Sequence, residues 1–174
     1  ELVAHFKKQS FLAVIGASGS GKSSLVGAGL LPRLLNNAIP GSQDWVILRF
    51  TPDELGGGNP FAALAAILRE APLKVDVQYL ADHLRAHPAN LAMLCEDALS
   101  EYPEWVKVLF FIDQFEELFT RVKDETKEAF VAMLDQVLKS EKVRVVLTLR
   151  ADFYIRCVES PAMATLIKDN TYPL

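Results

Sequence analysis

The run Gly16-Ala17-Ser18-Gly19-Ser20-Gly21-Lys22-Ser23 carries the residue types needed to hold a polyphosphate. It fits the phosphate-loop pattern GxxxxGK[ST]. Glycines let the backbone wrap phosphate oxygens without Cβ clashes. A helix opening near Lys22 would add unpaired N–H groups and a partial positive charge. On this reading Lys22 reaches the β- and γ-phosphates, Ser23 ligates magnesium, and Ser24 completes the nucleotide-binding run. The alternative is an ordinary glycine turn. Against it stands the context, a predicted strand before the run and a predicted helix after it.

A second chemical signal is the apolar stretch Val108-Leu109-Phe110-Phe111-Ile112 ending in Asp113, the Walker B pattern. In an open parallel sheet, ligands sit beyond the carboxyl ends of the strands. There Asp113 would hold magnesium opposite Ser23. Many ATPases of this kind place a general-base glutamate directly after the aspartate. Here Gln114 stands there, and it takes no proton at neutral pH. The nearby carboxylates are Glu116 and Glu117. Either one of them orients an attacking water, or the pair only favours the start of a short helix. A further strand, Val143 to Leu149, ends in Arg150. Placed between the first and third strands, it would aim Arg150 at the γ-phosphate, where a guanidinium stabilises and senses phosphoryl charge. The plainer alternative is a surface ion pair.

Other candidates are weaker. Gly56-Gly57-Gly58 has no lysine and reads as a flexible connector. His83 and His87 share a helical face, but with no evident acidic third ligand they read as solvated surface. Cys95 and Cys157 have no metal-ligand spacing and read as buried packing thiols, which fits a reducing, cytoplasmic setting.

Strand and helix patterns alternate along the chain, which predicts an α/β fold with a mainly parallel sheet and helices on both faces, three layers in all. Strands are predicted near Phe11–Ile15, Trp45–Phe50, Val106–Ile112 and Val143–Leu149, with the start of a fifth at Tyr172–Leu174. Phe11–Ile15 is continuously apolar and the other three are mostly so, as expected of strands buried on both faces. Helices are predicted from about Lys22, after Asn59-Pro60, around Asp76–Ala86, around Leu91–Leu99 and over Glu125–Lys139. Pro32 should end or kink the first of them near Leu31, and Asp152 is a candidate cap for the last helical stretch.

With 174 residues, 51% of them hydrophobic, the chain can bury one proper core. A net charge of −4 without a basic stripe argues against broad nucleic-acid or anionic-membrane binding. No apolar run approaches the roughly 20 residues needed to span a bilayer. The missing initiator methionine and the abrupt end at Leu174 suggest that residues 1–174 are a single core excised from a larger multidomain protein.

The stretches VIGASGSGKSSLVGAGLLPRL, FFIDQFEELF and LTLRADFY together resemble the novel STAND group of P-loop NTPases. The resemblance covers about Phe11 to Tyr154, in order and spacing as well as content. It implies a sheet of strand order 5-1-4-3-2, binding of ATP or ADP with Mg2+, and a switch that controls sensor and effector domains of the same protein, with self-association on activation. DQFEE resembles the acidic pattern of the NACHT branch, and Arg150 resembles the strand-four sensor arginine of STAND proteins. Such proteins serve in signalling, cell death and defence. A slow ATPase is therefore the expected activity, with a non-hydrolysing nucleotide scaffold as the alternative. A small-molecule kinase is disfavoured because no arginine-rich lid is evident. The sequence also lacks an NKxD guanine reader and an LSGGQ-like transporter signature.

Overall fold

The run Phe11–Ile15 has no polar face to show to water, so it must be covered on both sides. In the computed structural model of the chain, which describes residues 1–70 and 76–174, it forms β1 (Phe11–Gly16) inside a five-stranded parallel sheet. It follows a short helix α1 (Leu2–Phe6). After the glycine-rich turn comes α2 (Lys22–Ser24), which passes through a π-helical turn (Leu25–Leu30) into α3 (Leu31–Leu35). Then come β2 (Val46–Phe50), α4 (Pro60–Glu70), α5 (Val77–Ala86) and α6 (Asn90–Ala98). The next elements are β3 (Val108–Ile112), α7 (Glu117–Thr120), α8 (Asp124–Val137) and β4 (Val143–Arg150). The described chain closes with α9 (Tyr154–Glu159), α10 (Pro161–Ile167) and β5 (Thr171–Pro173).

The sheet order is β2-β3-β4-β1-β5, the 5-1-4-3-2 arrangement read from the opposite edge. Burial explains this order. Strand β3 is buried at every position and β4 at six of eight, whereas β2 on the edge is mostly half-exposed. Side chains alternate between the two faces. Phe11, Ala13, Val108, Phe110, Ile112, Val145 and Leu147 meet the core beneath α4, α5, α6, α8 and α10. Leu12, Val14, Leu109, Phe111 and Val146 meet a second core beneath α1, the π turn and α3. The expected three layers are therefore present.

Pro32 does not end the first long helix. It sits at the second residue of α3, and the disturbance is displaced to the π turn just before it. A proline ring crowds the carbonyl four residues back and offers no N–H to it. The wider π spacing, in a stretch containing Gly27 and Gly29, relieves that conflict without stopping the helix. Asn59 does cap α4, its side-chain oxygen accepting the Ala62 N–H at 3.2 Å. Asp76 caps α5 in the same way through Tyr79 N–H at 2.9 Å. Strands β2 and β3 begin one and two residues later than the apolar runs suggest, because Trp45 and Val106 are buried without joining the ladder.

Phe130 of α8 is fully buried, with the rings of Phe61 and Phe50 edge-on at 5.4 and 6.3 Å. Phe130→Ala should cost roughly 3–5 kcal/mol, read as a lower urea midpoint. A change within the ordinary surface range, about 0.5 kcal/mol, would mean that α8 is not seated on the sheet as described.

Candidate functional site

The strand register decides which side chains meet. Phe50 lies beside Ile112, Ile112 beside Leu147, and Gly16 beside Arg150. The carboxyl ends of β2, β3, β4 and β1 therefore finish side by side. Asp113, one residue past β3, is held there by its N–H donating to Phe50 O at 2.9 Å.

The phosphate loop rises from the end of β1. Gly19 and Gly21 adopt φ of 74° and 90°, left-handed values that side-chain-bearing residues rarely adopt. Nothing lies within 4 Å of a Cβ built on either, so backbone conformation and not crowding requires glycine there. Ala17 through Gly21 are exposed, and so is Ser24 on α2. Lys22 is buried inside the loop, and its Nζ donates to Gly16 O at 3.1 Å and Ala17 O at 2.6 Å.

Asp113 is 2% exposed, and its carboxylate is met by donors from three directions. Ser23 Oγ and Thr148 Oγ1 each donate to Oδ1 at 2.6 Å. Arg49 Nη2 donates to Oδ2 at 2.7 Å. Burial alone would push this carboxyl up. The hydrogen bonds from Ser23, Thr148 and Arg49, with the charge of Arg49, outweigh it and hold Asp113 below the ordinary aspartate value.

Ser23 and Asp113 thus stand together at the mouth of the loop, as the sequence predicts. Their oxygen donors suit a hard cation such as magnesium, which takes its remaining ligands from phosphates and water. Among the described residues no group of three His, Cys, Asp or Glu could hold a metal ion by itself. His83 on α5 and His87, one residue past its end, stand 5.0 Å apart ring to ring, and Tyr79 stacks on His83 in the same aromatic row.

A cavity of about 200 Å³ opens beside the loop. Ser18, Gly19, Lys22 and Ser23 line one wall, and Gln114, Glu116, Thr148 and Arg150 line the other. Glu116 faces this space, and its Oε2 accepts the Arg150 N–H at 3.3 Å. Glu117 does not line it. Its carboxylate accepts the Asp53 N–H at 3.0 Å and so anchors the loop after β2. Arg150 borders the cavity, yet its guanidinium makes a two-pronged pair with Asp152 at 2.7 and 3.1 Å. Asp152 consequently caps no helix. A planar guanidinium two residues away offers two bonds where a helix end offers one. Gln114 takes φ of 52°, and its N–H donates to Thr148 Oγ1 at 2.9 Å, which fixes the turn after Asp113.

The family model described as Novel STAND NTPase 1 matches residues 1–174. The chain belongs to the novel STAND NTPase 1 family. No curated protein matches it. Among solved structures, the ORC2 protein of Aeropyrum pernix in its ADPNP–ADP complexes is similar, with a TM-score of 0.60 and 16% identity over 99% of this chain and 45% of that one. Drosophila ORC bound to AT-rich DNA and Cdc6 gives a TM-score of 0.56 at 9% identity, over 99% of this chain and 50% of that one. A Walker-type ATPase of Pyrococcus abyssi gives 0.51 at 14%, over 92% and 48%. At these identities the likeness is one of fold. The chain spans about half the length of the structures it matches.

Two residues of this novel STAND site are missed by motif reading, Thr148 and Arg49. Each left a signal. Thr148 is a hydroxyl inside the apolar run VRVVLTL, and Arg49 is a charge inside VILRF. Buried Thr148 needs a partner, and Asp113 supplies it, whereas exposed Arg49 meets Asp113 through the strand register.

Cys95 and Cys157 are both buried. Burial pushes each thiol up to about 12, with the neighbouring charge of Glu96 adding to the effect at Cys95, so both pack as inert side chains.

The depressed Asp113 carboxyl has a consequence for acid stability. A group whose folded value lies below its unfolded one stabilises the fold fully above the unfolded value, about 3.9 for aspartate. That contribution is lost as pH falls through the folded value. The stability gap between the native protein and Asp113→Asn should therefore be level from about pH 5 to 8 and shrink below about pH 4. Urea unfolding across this range tests it, and a gap that widens on acidification would contradict the donor assignment.

Proposed function

We propose that this novel STAND protein is an ATP-binding switch that hydrolyses the β–γ phosphate bond slowly and with magnesium. The observation that carries the reading is the meeting of Ser23 and Asp113, 2.6 Å apart, at the mouth of a glycine loop that also holds Lys22. The β-phosphate would lie in the loop against the backbone N–H groups at the start of α2, displacing the Lys22 ammonium from the carbonyls of Gly16 and Ala17 toward phosphate oxygens. Magnesium bound between Ser23 and Asp113 would neutralise charge on the β- and γ-phosphate oxygens. Glu116, in the cavity wall, would accept a hydrogen bond from the attacking water. Arg150, on the same wall, would leave Asp152 for the γ-phosphate, because a dianionic group offers it a stronger two-pronged partner.

Residues 1–174 are then the core of a larger cytoplasmic protein whose other domains sense a signal and deliver the output, with self-association as a further mode of control. The match of this chain to about half the length of related folds supports that reading. Two observations favour a scaffold that binds without hydrolysing. Gln114 stands where a base would follow the aspartate, and Glu117 is engaged by Asp53. Hydrolysis that depends on Glu116 discriminates the two.

Lys22→Ala removes a charge-assisted contact and should weaken binding of the magnesium nucleotide by roughly 1.5–3 kcal/mol, measured by calorimetry. Equal affinity in both proteins would remove the loop from the site. Arg150→Ala should weaken triphosphate selectively and leave diphosphate nearly unchanged, because the inner phosphates are already surrounded by the loop. Equal weakening of both, or of neither, would leave Arg150 as a surface ion pair with Asp152. Glu116→Gln should preserve affinity and slow phosphate release in a turnover assay. Unchanged turnover would take Glu116 out of the chemistry.

A further inference from the structure

Arg49 carries a charge on an edge strand that is otherwise apolar. Two neighbours hold its side chain, and the backbone of Gly27 lies close by. Its guanidinium lies over the Phe111 ring at 5.0 Å, and a Cβ built on Gly27 would stand 3.9 Å from Nη1. Its Nη2 donates to Asp113 Oδ2 at 2.7 Å. The guanidinium is thus set between β2, β3 and the π turn, directly against the Walker B carboxylate.

The two oxygens of Asp113 are used differently. Oδ1 accepts from Ser23, Thr148 and the Gln114 N–H. Oδ2 accepts from Arg49. Because Ser23 bonds the same carboxylate, a cation held between Ser23 and Asp113 would lie within a few ångströms of the guanidinium. Two positive charges at such a distance repel, and each weakens the attraction of the carboxylate for the other. The partners also differ in what they lose on parting. The Arg49 side chain is 55% exposed, so its charge turns to water at little cost. Asp113 is 2% exposed, so its charge must find another cation.

We propose that Arg49 is an internal competitor of magnesium, a counter-ion that neutralises Asp113 and must release it before a magnesium nucleotide is fully held. The inference rests on the reading of Asp113 as a magnesium residue. Arg49 would accordingly set the magnesium concentration at which nucleotide binding tightens.

Calorimetry with a non-hydrolysable ATP analogue, over a magnesium series and with EDTA as the metal-free reference, tests this on the 174-residue chain. Arg49→Gln should reach half of its magnesium-dependent gain in affinity at about 1.5- to fivefold lower magnesium than the native protein, the range expected for removing one partly exposed ion-pair partner. Arg49→Lys, which keeps a charge without the planar fork, should fall between the two. An unchanged or higher magnesium requirement in Arg49→Gln would overturn the inference, the higher value making Arg49 a support of the metal site. The native protein supplies a second readout that needs no folded variant. Its Arg49 Nε–Hε resonance should move when magnesium and the analogue are added together and stay in place with the analogue and EDTA. A resonance that ignores magnesium would also overturn the inference. A native protein whose nucleotide binding is sensitive to Lys22→Ala and to magnesium, combined with a silent Arg49→Gln, would reject the role of Arg49 alone. A native protein that binds no nucleotide would reject the functional reading with it.

Discussion

A single carboxylate ties the fold to the site. Asp113 is buried at the end of an apolar strand, where an unmatched charge is strongly unfavourable. Its donors come from three separate elements, Ser23 from α2, Thr148 from β4 and Arg49 from β2. They converge only if β3 lies between β2 and β4 and if β4 lies beside β1, whose loop delivers Ser23. The sheet order and the satisfaction of one buried charge are therefore the same constraint. A rearranged sheet would leave Asp113 without at least one donor, a penalty of roughly 1–3 kcal/mol for each group left unpaired.

Groups around the site differ in how firmly they are held. The inner part is built from backbone, with left-handed turns at Gly19 and Gly21 and with Lys22 buried against loop carbonyls. The outer part is built from half-exposed side chains that hold other partners. Arg150 is paired with Asp152 and Arg49 with Asp113, and both guanidinium groups also rest on aromatic rings. Pairs of this kind are weak enough to exchange partners when a more highly charged group arrives. The arrangement suits a site whose inner half grips and whose outer half responds.

The strong features of the sequence were those with one physical solution. Phe11–Ile15 and Val108–Ile112 are too apolar to lie anywhere but mid-sheet, and they do. The glycine loop needs left-handed residues at defined places, and Gly19 and Gly21 stand in two of them. Asn59 before Pro60 reads as a helix start because side chain and ring both favour it. Features that depend on non-local partners were less legible. Asp152 looks like a cap until Arg150 is seen to claim it. Glu116 and Glu117 are equivalent in one dimension, and only the approach of the loop after β2 separates them. Pro32 reads as an end or a kink near Leu31, and the π turn that takes its place has no simple sequence pattern. Arg49 and Thr148 escaped because their meaning lies in register, which motif reading does not see.

The most direct measurement is a crystal structure of the chain with magnesium and a non-hydrolysable ATP analogue. The phosphates should lie in the Gly16–Ser23 loop, with the ion between Ser23 Oγ and the Asp113 carboxylate and with the terminal phosphate facing Glu116 and Arg150. An analogue bound elsewhere, or phosphates in the loop with the ion away from Asp113, would contradict the site as described.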